Sequence, residues 1–127
     1  MTDVNEIVCA YGKAWLEPDE AERRRLLQIS WSEHGVYQDP NASVAGREAL
    51  VRHIADFHKR LPGTKIAFSS GVDHHHKAFH FLWKMIGPDG KVTVEGRDFG
   101  EFDHDGRICR IAGFFGQPPA LPDAFVL

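Results

Sequence analysis

The chain has 127 residues, 43% of them apolar and 26% charged, with a formal net charge of −3. That length suits one domain with a single hydrophobic core, here taken as 1–127, and needs no metal or disulfide to close it. The interspersed charges leave no basic stripe for nucleic acid. No run approaches the roughly 18 apolar residues of a membrane span, and the first residues lack the basic start and apolar core of a signal peptide, so a cytoplasmic protein is expected.

Val4, Ile7, Val8, Tyr11, Ala14 and Trp15 recur at steps of three and four, which predicts a helix over residues 3 to 16 with one apolar stripe. Pro18 and Asp19 restart the chain as a second helix running through Leu26, Leu27 and Trp31. The pair forms a hairpin. After a SEHG break, residues 35 to 39 read as a short strand stopped by Pro40, and the polar NASVAG segment reads as a connection. A third helix is expected over residues 46 to 61, burying Leu50, Ile54, Phe57 and Leu61 and ended by Pro62 and Gly63.

From Thr64 the period becomes strand-like, with runs at 64 to 70, 77 to 86, 91 to 103 and 107 to 115. GPDG at 87 to 90 and HDG at 104 to 106 are turn sequences suited to hairpins between antiparallel neighbours. The expected class is α+β, with three N-terminal helices packed on one face of a curved antiparallel sheet. The tail, 117 to 127, is proline-rich but apolar and is expected to fold back over an edge strand, a pocket mouth or a partner subunit.

Alternation puts Phe79, Phe81, Trp83 and Met85 on the inner face of one strand and Asp98 on the inner face of the next, between Gly96 and Gly100. A carboxyl among apolar neighbours has its ionised form disfavoured, the usual mark of a proton-handling group. The flanking glycines remove bulk and predict space for a ligand beside it. Asp39, ending the VYQDP run, is the second candidate, although aspartate before proline is also a common turn residue. Trp15, Trp31, Tyr37, Phe57, Phe81, Trp83 and Phe114 would line an apolar chamber or fill a core, and His58 would reach its rim. Cys9 and Cys109 lack a CxxC spacing and read as two buried, reduced thiols. Three consecutive histidines, 74 to 76, are split by strand alternation, and no ligand spacing supports a metal site.

The order of helix pair, VYQDP strand, helix opening at GREAL, and long strands ending DGRI and GFFG resembles the nuclear transport factor 2-like superfamily, and within it the SnoaL-like and ketosteroid isomerase-like group. The resemblance covers residues 3 to 116. It implies a cone-shaped (cystatin-like) barrel around one deep cavity, often dimeric through the outer sheet face, acting without a cofactor on a small apolar carbonyl compound. It further implies roles for three residues. Asp39, before its proline, matches the isomerase base. Asp98, five residues before Asp103 and eight before Gly106, matches the neutral oxyanion-hole aspartic acid. Tyr11, eight residues before Asp19, matches the oxyanion-hole tyrosine, with Trp15 the alternative inward residue. Polyketide cyclases of the group would instead make Asp98 the base for an aldol closure. Epoxide hydrolases of this fold need an Asp, Arg, Asp cluster, which Arg97, opposite Asp98 by alternation, does not supply. A noncatalytic binder of small apolar ligands and a dimeric interaction module with a filled cavity are the readings left beside these.

Overall fold

The computed structural model describes residues 3–127. Helix α1 spans Val4–Leu16, capped by Asp3, whose carboxylate accepts from the Asn5 amide at 2.8 Å. Helix α2 spans Glu20–Ser30, capped by Asp19 through the Glu22 amide at 2.9 Å. The buried Arg23 guanidinium donates to the Glu17 carbonyl at 2.8 Å and fixes the bend between them.

Helix α2 is shorter than its apolar pattern predicts. It stops at Ser30, whose hydroxyl donates back to the Leu26 carbonyl, and Trp31 opens strand β1 (Trp31–Asp39). The expected SEHG break is therefore strand. Register slips between Trp31 and Val36, and this bulge erases the alternation that would have marked the segment. Nor is NASVAG a loop: Ala42–Ala45 is strand β2, paired antiparallel with β1 from Asp39↔Ala42 to Val36↔Ala45.

Gly46, at φ 95°, lets the chain turn into α3 (Arg47–Arg60), which buries Leu50, Val51, Ile54 and Phe57, while Leu61 lies beyond its end and is exposed. Arg24 clasps Glu48 through two bonds of 2.8 and 3.0 Å, joining α2 to α3. Truncating a fully buried side chain such as Ile54 to alanine costs about 2–5 kcal/mol.

The remaining strands are β3 (Lys65–Phe68), β4 (Asp73–His75), β5 (Ala78–Ile86), β6 (Val92–Phe102) and β7 (Ile108–Phe115). Gly90 and Gly106, both at positive φ, form the two expected hairpin turns. The sheet order is β2-β1-β7-β6-β5-β3, with β4 also paired to β5. Pairing is antiparallel except between β1 and β7, which run parallel and make the sheet mixed. Bulges in β5–β6 and β6–β7 bend it, so its inner face wraps toward the helices in an α+β cone. The tail beyond Gly116 leaves Leu121, Phe125 and Val126 about 70% exposed, and none of its residues lines the cone's interior.

Candidate active site

Helices α1 and α3 and the inner sheet face enclose a chamber of about 1100 Å³, ample for a drug-sized ligand. Its wall is largely aromatic. The Trp15 ring, one turn along α1 from Tyr11, meets Tyr37 at 5.5 Å and Phe57 at 5.6 Å between centroids. Phe81 and Trp83 of β5 continue the wall, and Phe115 of β7 packs edge-on to Trp83 at 5.7 Å.

Asp98 lies on this wall, only 6% exposed. Trp83 donates its indole N–H to Asp98 Oδ1 at 2.9 Å. Burial pushes the Asp98 pKa up to about 7; the indole bond opposes that rise and the charge of Asp39 adds to it. At neutral pH the group is therefore divided between acid and carboxylate, suiting it to either half of a proton transfer.

Asp39 ends β1 in the same chamber. Its Oδ2 accepts from the Tyr37 hydroxyl at 2.6 Å, and its Oδ1 accepts from the Asn41 amide at 2.8 Å. The second bond is the turn role of an aspartate before proline, so one carboxylate both shapes the turn and faces the cavity. Gly113 links the two acids. It pairs with Asp98 across β6–β7, and a Cβ there would stand 2.9 Å from Asp98 Oδ1 and 3.5 Å from Asp39 Cβ.

Tyr11 is buried on the wall and stacks on Trp31 at 5.6 Å and 19°. Burial, then the charge of Asp98, hold its phenol well above the ordinary tyrosine range, with Trp15 opposing and Asp39 adding a smaller push. Tyr37 is raised likewise, by burial first and then by Tyr11 and Asp39. Both phenols therefore remain protonated donors. Tyr11, Tyr37, Asp39 and Asp98 thus form one electrostatically linked group, although they come from α1, β1 and β6.

Three expected lining residues lie elsewhere. Trp31 is fully buried behind Tyr11 and over Gly35, because it occupies the start of β1 and not the end of α2. His58 is held by its Nε2 contact of 2.7 Å with the Trp15 carbonyl and does not line the chamber. Phe114 points outward, 46% exposed beneath Arg97, and Phe115 takes the inward place. The glycines beside Asp98 also serve differently from expectation: the Trp83 ring covers Gly96 and the Phe79 ring covers Gly100, so aromatic side chains occupy that space. Neither cysteine is fully buried, and Cys9 is exposed at the chamber's edge.

One lining residue was not anticipated from the sequence. His53 of α3 lines the chamber, 5.8 Å from the Trp15 ring and 5.4 Å from that of Tyr37. Burial lowers its pKa and Arg60 adds to that, while Asp39 and Asp56 oppose it, leaving a neutral imidazole at pH 7. The signal was available, since His53 precedes Phe57 by four residues and shares its helix face, whereas His58 is one step around. Among the described residues no group of three or more His, Cys, Asp or Glu is placed to hold a metal ion.

A bent mixed sheet and three α-helices around a chamber open at one mouth define a nuclear transport factor 2-like cone. A candidate isomerase of the SnoaL-like family from Agrobacterium tumefaciens superposes with a TM-score of 0.83 at 30% identity, the alignment covering 87% of this chain and 95% of that one. The chain belongs to the SnoaL-like family. A nuclear transport factor 2-like protein of unknown function from Exiguobacterium (TM-score 0.70, 16% identity, 88% and 99% covered) shares the fold. So does a candidate SnoaL-like polyketide cyclase from Jannaschia (0.66, 14%, 91% and 89%). No family model and no curated protein matches the sequence.

Proposed function

We propose that this protein is a proton-transfer enzyme, an isomerase or cyclase that enolises a small apolar carbonyl compound without a cofactor. Asp39 is the base: its carboxylate takes the proton alpha to the carbonyl, the electron pair of that C–H bond becomes the C=C bond of the enolate, and the carbonyl π pair moves onto the oxygen. Tyr11 and the protonated Asp98 donate hydrogen bonds to the oxygen as it gains charge. Return of the proton from Asp39 to another carbon completes an isomerisation; attack of the enolate carbon on a second carbonyl of the same substrate, with that proton returned to the alkoxide it creates, completes a cyclisation. A positioned base contributes about 10² to 10⁴ in rate, and an oxyanion donor about 3 kcal/mol. Trp15, Phe57 and Phe81 would hold the apolar body, and Tyr37 and Trp83 would orient the two acids.

The observation carrying this reading is the buried Asp98, with a pKa of about 7, on the same chamber wall as Asp39. A binder of apolar ligands gains nothing from two carboxyls there, and an assembly module with a filled cavity would not leave about 1100 Å³ open. The test is solvent deuterium exchange into cyclic ketones and enones by the wild type, Asp39→Asn and Asp98→Asn. Exchange lost with the first change and weakened with the second supports the reading. Loss in the reverse order makes Asp98 the base. No exchange from three equally folded proteins overturns the enzyme and leaves a binding protein.

We further propose a homodimer through the outer sheet face, where Leu82, Phe99 and Phe114 are each exposed by 40% or more. Among the described residues no helix is long and apolar enough to cross a membrane, and a cytoplasmic location is part of the proposal.

A further inference from the structure

The chamber is acidic and aromatic at depth and basic toward its mouth. Lys13, in the last turn of α1, and Lys59 and Arg60, in the last turn of α3, all line it. Each is exposed, and among the described residues none of the three forms an ion pair. Asp56 is the single carboxylate beside them on α3, and it too lies outside any ion pair. Three cations thus share a rim with one acid. A helix C-terminus favours basic residues in its last turn, which accounts for where they fall in the sequence. It does not account for two separate helices turning them into one cavity. Clefts lined by one sign of charge concentrate ligands of the other sign.

We infer that the substrate is amphiphilic, with its ketone or enone end seated toward Asp39 and Asp98 and an anionic group, carboxylate or phosphate, at its other end held by Lys13, Lys59 and Arg60. This rests on the enolisation reading for the buried end only. The rim positions the molecule lengthwise, because an anion held at the mouth leaves the apolar body to run along Trp15, Phe57 and Phe81. It also selects against neutral ketones of equal size. Arg60 offers a planar fork that matches either anion, and the two lysines add point charges.

The test uses ω-benzoyl alkanoates of graded spacer length, the matching phosphonates and the methyl esters of the alkanoates, with binding followed by quenching of Trp15 and Trp83 fluorescence. In the wild type the best anion should bind about tenfold more tightly than its ester, the size expected of two or three partly exposed charge contacts. That advantage should shrink in high salt and disappear in the Lys59→Gln, Arg60→Gln double variant; Lys13→Gln should remove part of it. Whether carboxylate or phosphonate gains more identifies the anion. No anion binding more tightly than its ester at any spacer, or an advantage that survives both high salt and the Lys59→Gln, Arg60→Gln double variant, overturns the inference. Deuterium exchange on the same probes separates the two claims. Anion preference without exchange keeps the rim and removes the enolisation. Exchange with equal affinity for anion and ester does the reverse.

Discussion

The Trp83 indole holds Asp98 from two directions: its N–H donates to Oδ1 at 2.9 Å, and its ring covers Gly96, two residues before the acid on the same strand face. The bond favours the ionised form and is the main influence restraining a pKa that burial drives upward. Trp83→Phe should therefore move the Asp98 titration above its value of about 7. Carbon-13 NMR of labelled aspartate would follow it, and a titration at or below the wild-type position would refute the role given to the indole.

Ionising Asp98 should cost stability. Its folded-state pKa of about 7 lies above the usual carboxyl value, so the folded protein keeps a proton that the unfolded chain releases. The resulting stabilisation is complete below about pH 4 and is lost as pH rises through about 7, at about 1.4 kcal/mol per pH unit. Asp98→Asn keeps an acceptor for the Trp83 N–H and cannot ionise. Urea unfolding from pH 4.5 to 8 should show a downward slope in the wild type that the variant lacks; parallel curves would contradict it.

In the proposed mechanism Asp39 has two duties, and two substitutions separate them. Asparagine retains an oxygen for the Asn41 amide but no base, so Asp39→Asn should lower deuterium exchange about 10² to 10⁴-fold with little change in melting temperature. Alanine removes both the turn bond and the partner of the Tyr37 hydroxyl and should cost a further 0.5 to 2 kcal/mol or so of stability. Equal melting temperatures for the two variants would show that both bonds are dispensable.

Gly113 is the spacer between the acids. A methyl group there meets Asp98 Oδ1 at 2.9 Å, too close to be accommodated without movement. Gly113→Ala should displace the carboxyl, reduce exchange, and destabilise the fold by roughly 1–3 kcal/mol. Wild-type exchange in this variant would mean that the Asp98 position is not critical.

Where the sequence was readable, one period governed a whole element. The α1 stripe led to Tyr11 and Trp15, and alternation along β5 and β6 led to Phe81, Trp83 and Asp98. It failed where the period broke or where composition hid it. The bulge in β1 disguised Trp31 as helix. At Phe114 and Phe115 two identical side chains point to opposite faces, and only the pairing of Gly113 with Asp98 decides which points in. The glycines beside Asp98 signalled a close approach without saying what approaches, and the neighbouring strand's rings fill that space. His53 was legible from helical geometry, but the rim of Lys13, Lys59 and Arg60 was not, because it depends on two helix ends meeting at one cavity.

On the outer sheet face, proposed as the dimer interface, Phe99 stacks on His80 at 4.5 Å and meets Phe114 edge-on at 5.9 Å, with Leu82 beside them. Glu95, Arg97 and Glu101 on the same strand supply a polar rim. Two copies related by a two-fold axis would bring these patches together, each phenylalanine losing the water it now meets. Phe99→Glu would then bury a charge on both sides at once. Sedimentation should give twice the chain mass for the wild type and the chain mass for the variant. Deuterium exchange per chain should persist, because Leu82, Phe99 and Phe114 do not line the chamber. A wild type that sediments as a monomer at tens of micromolar would remove the dimer, and a variant that remains dimeric would move the interface elsewhere.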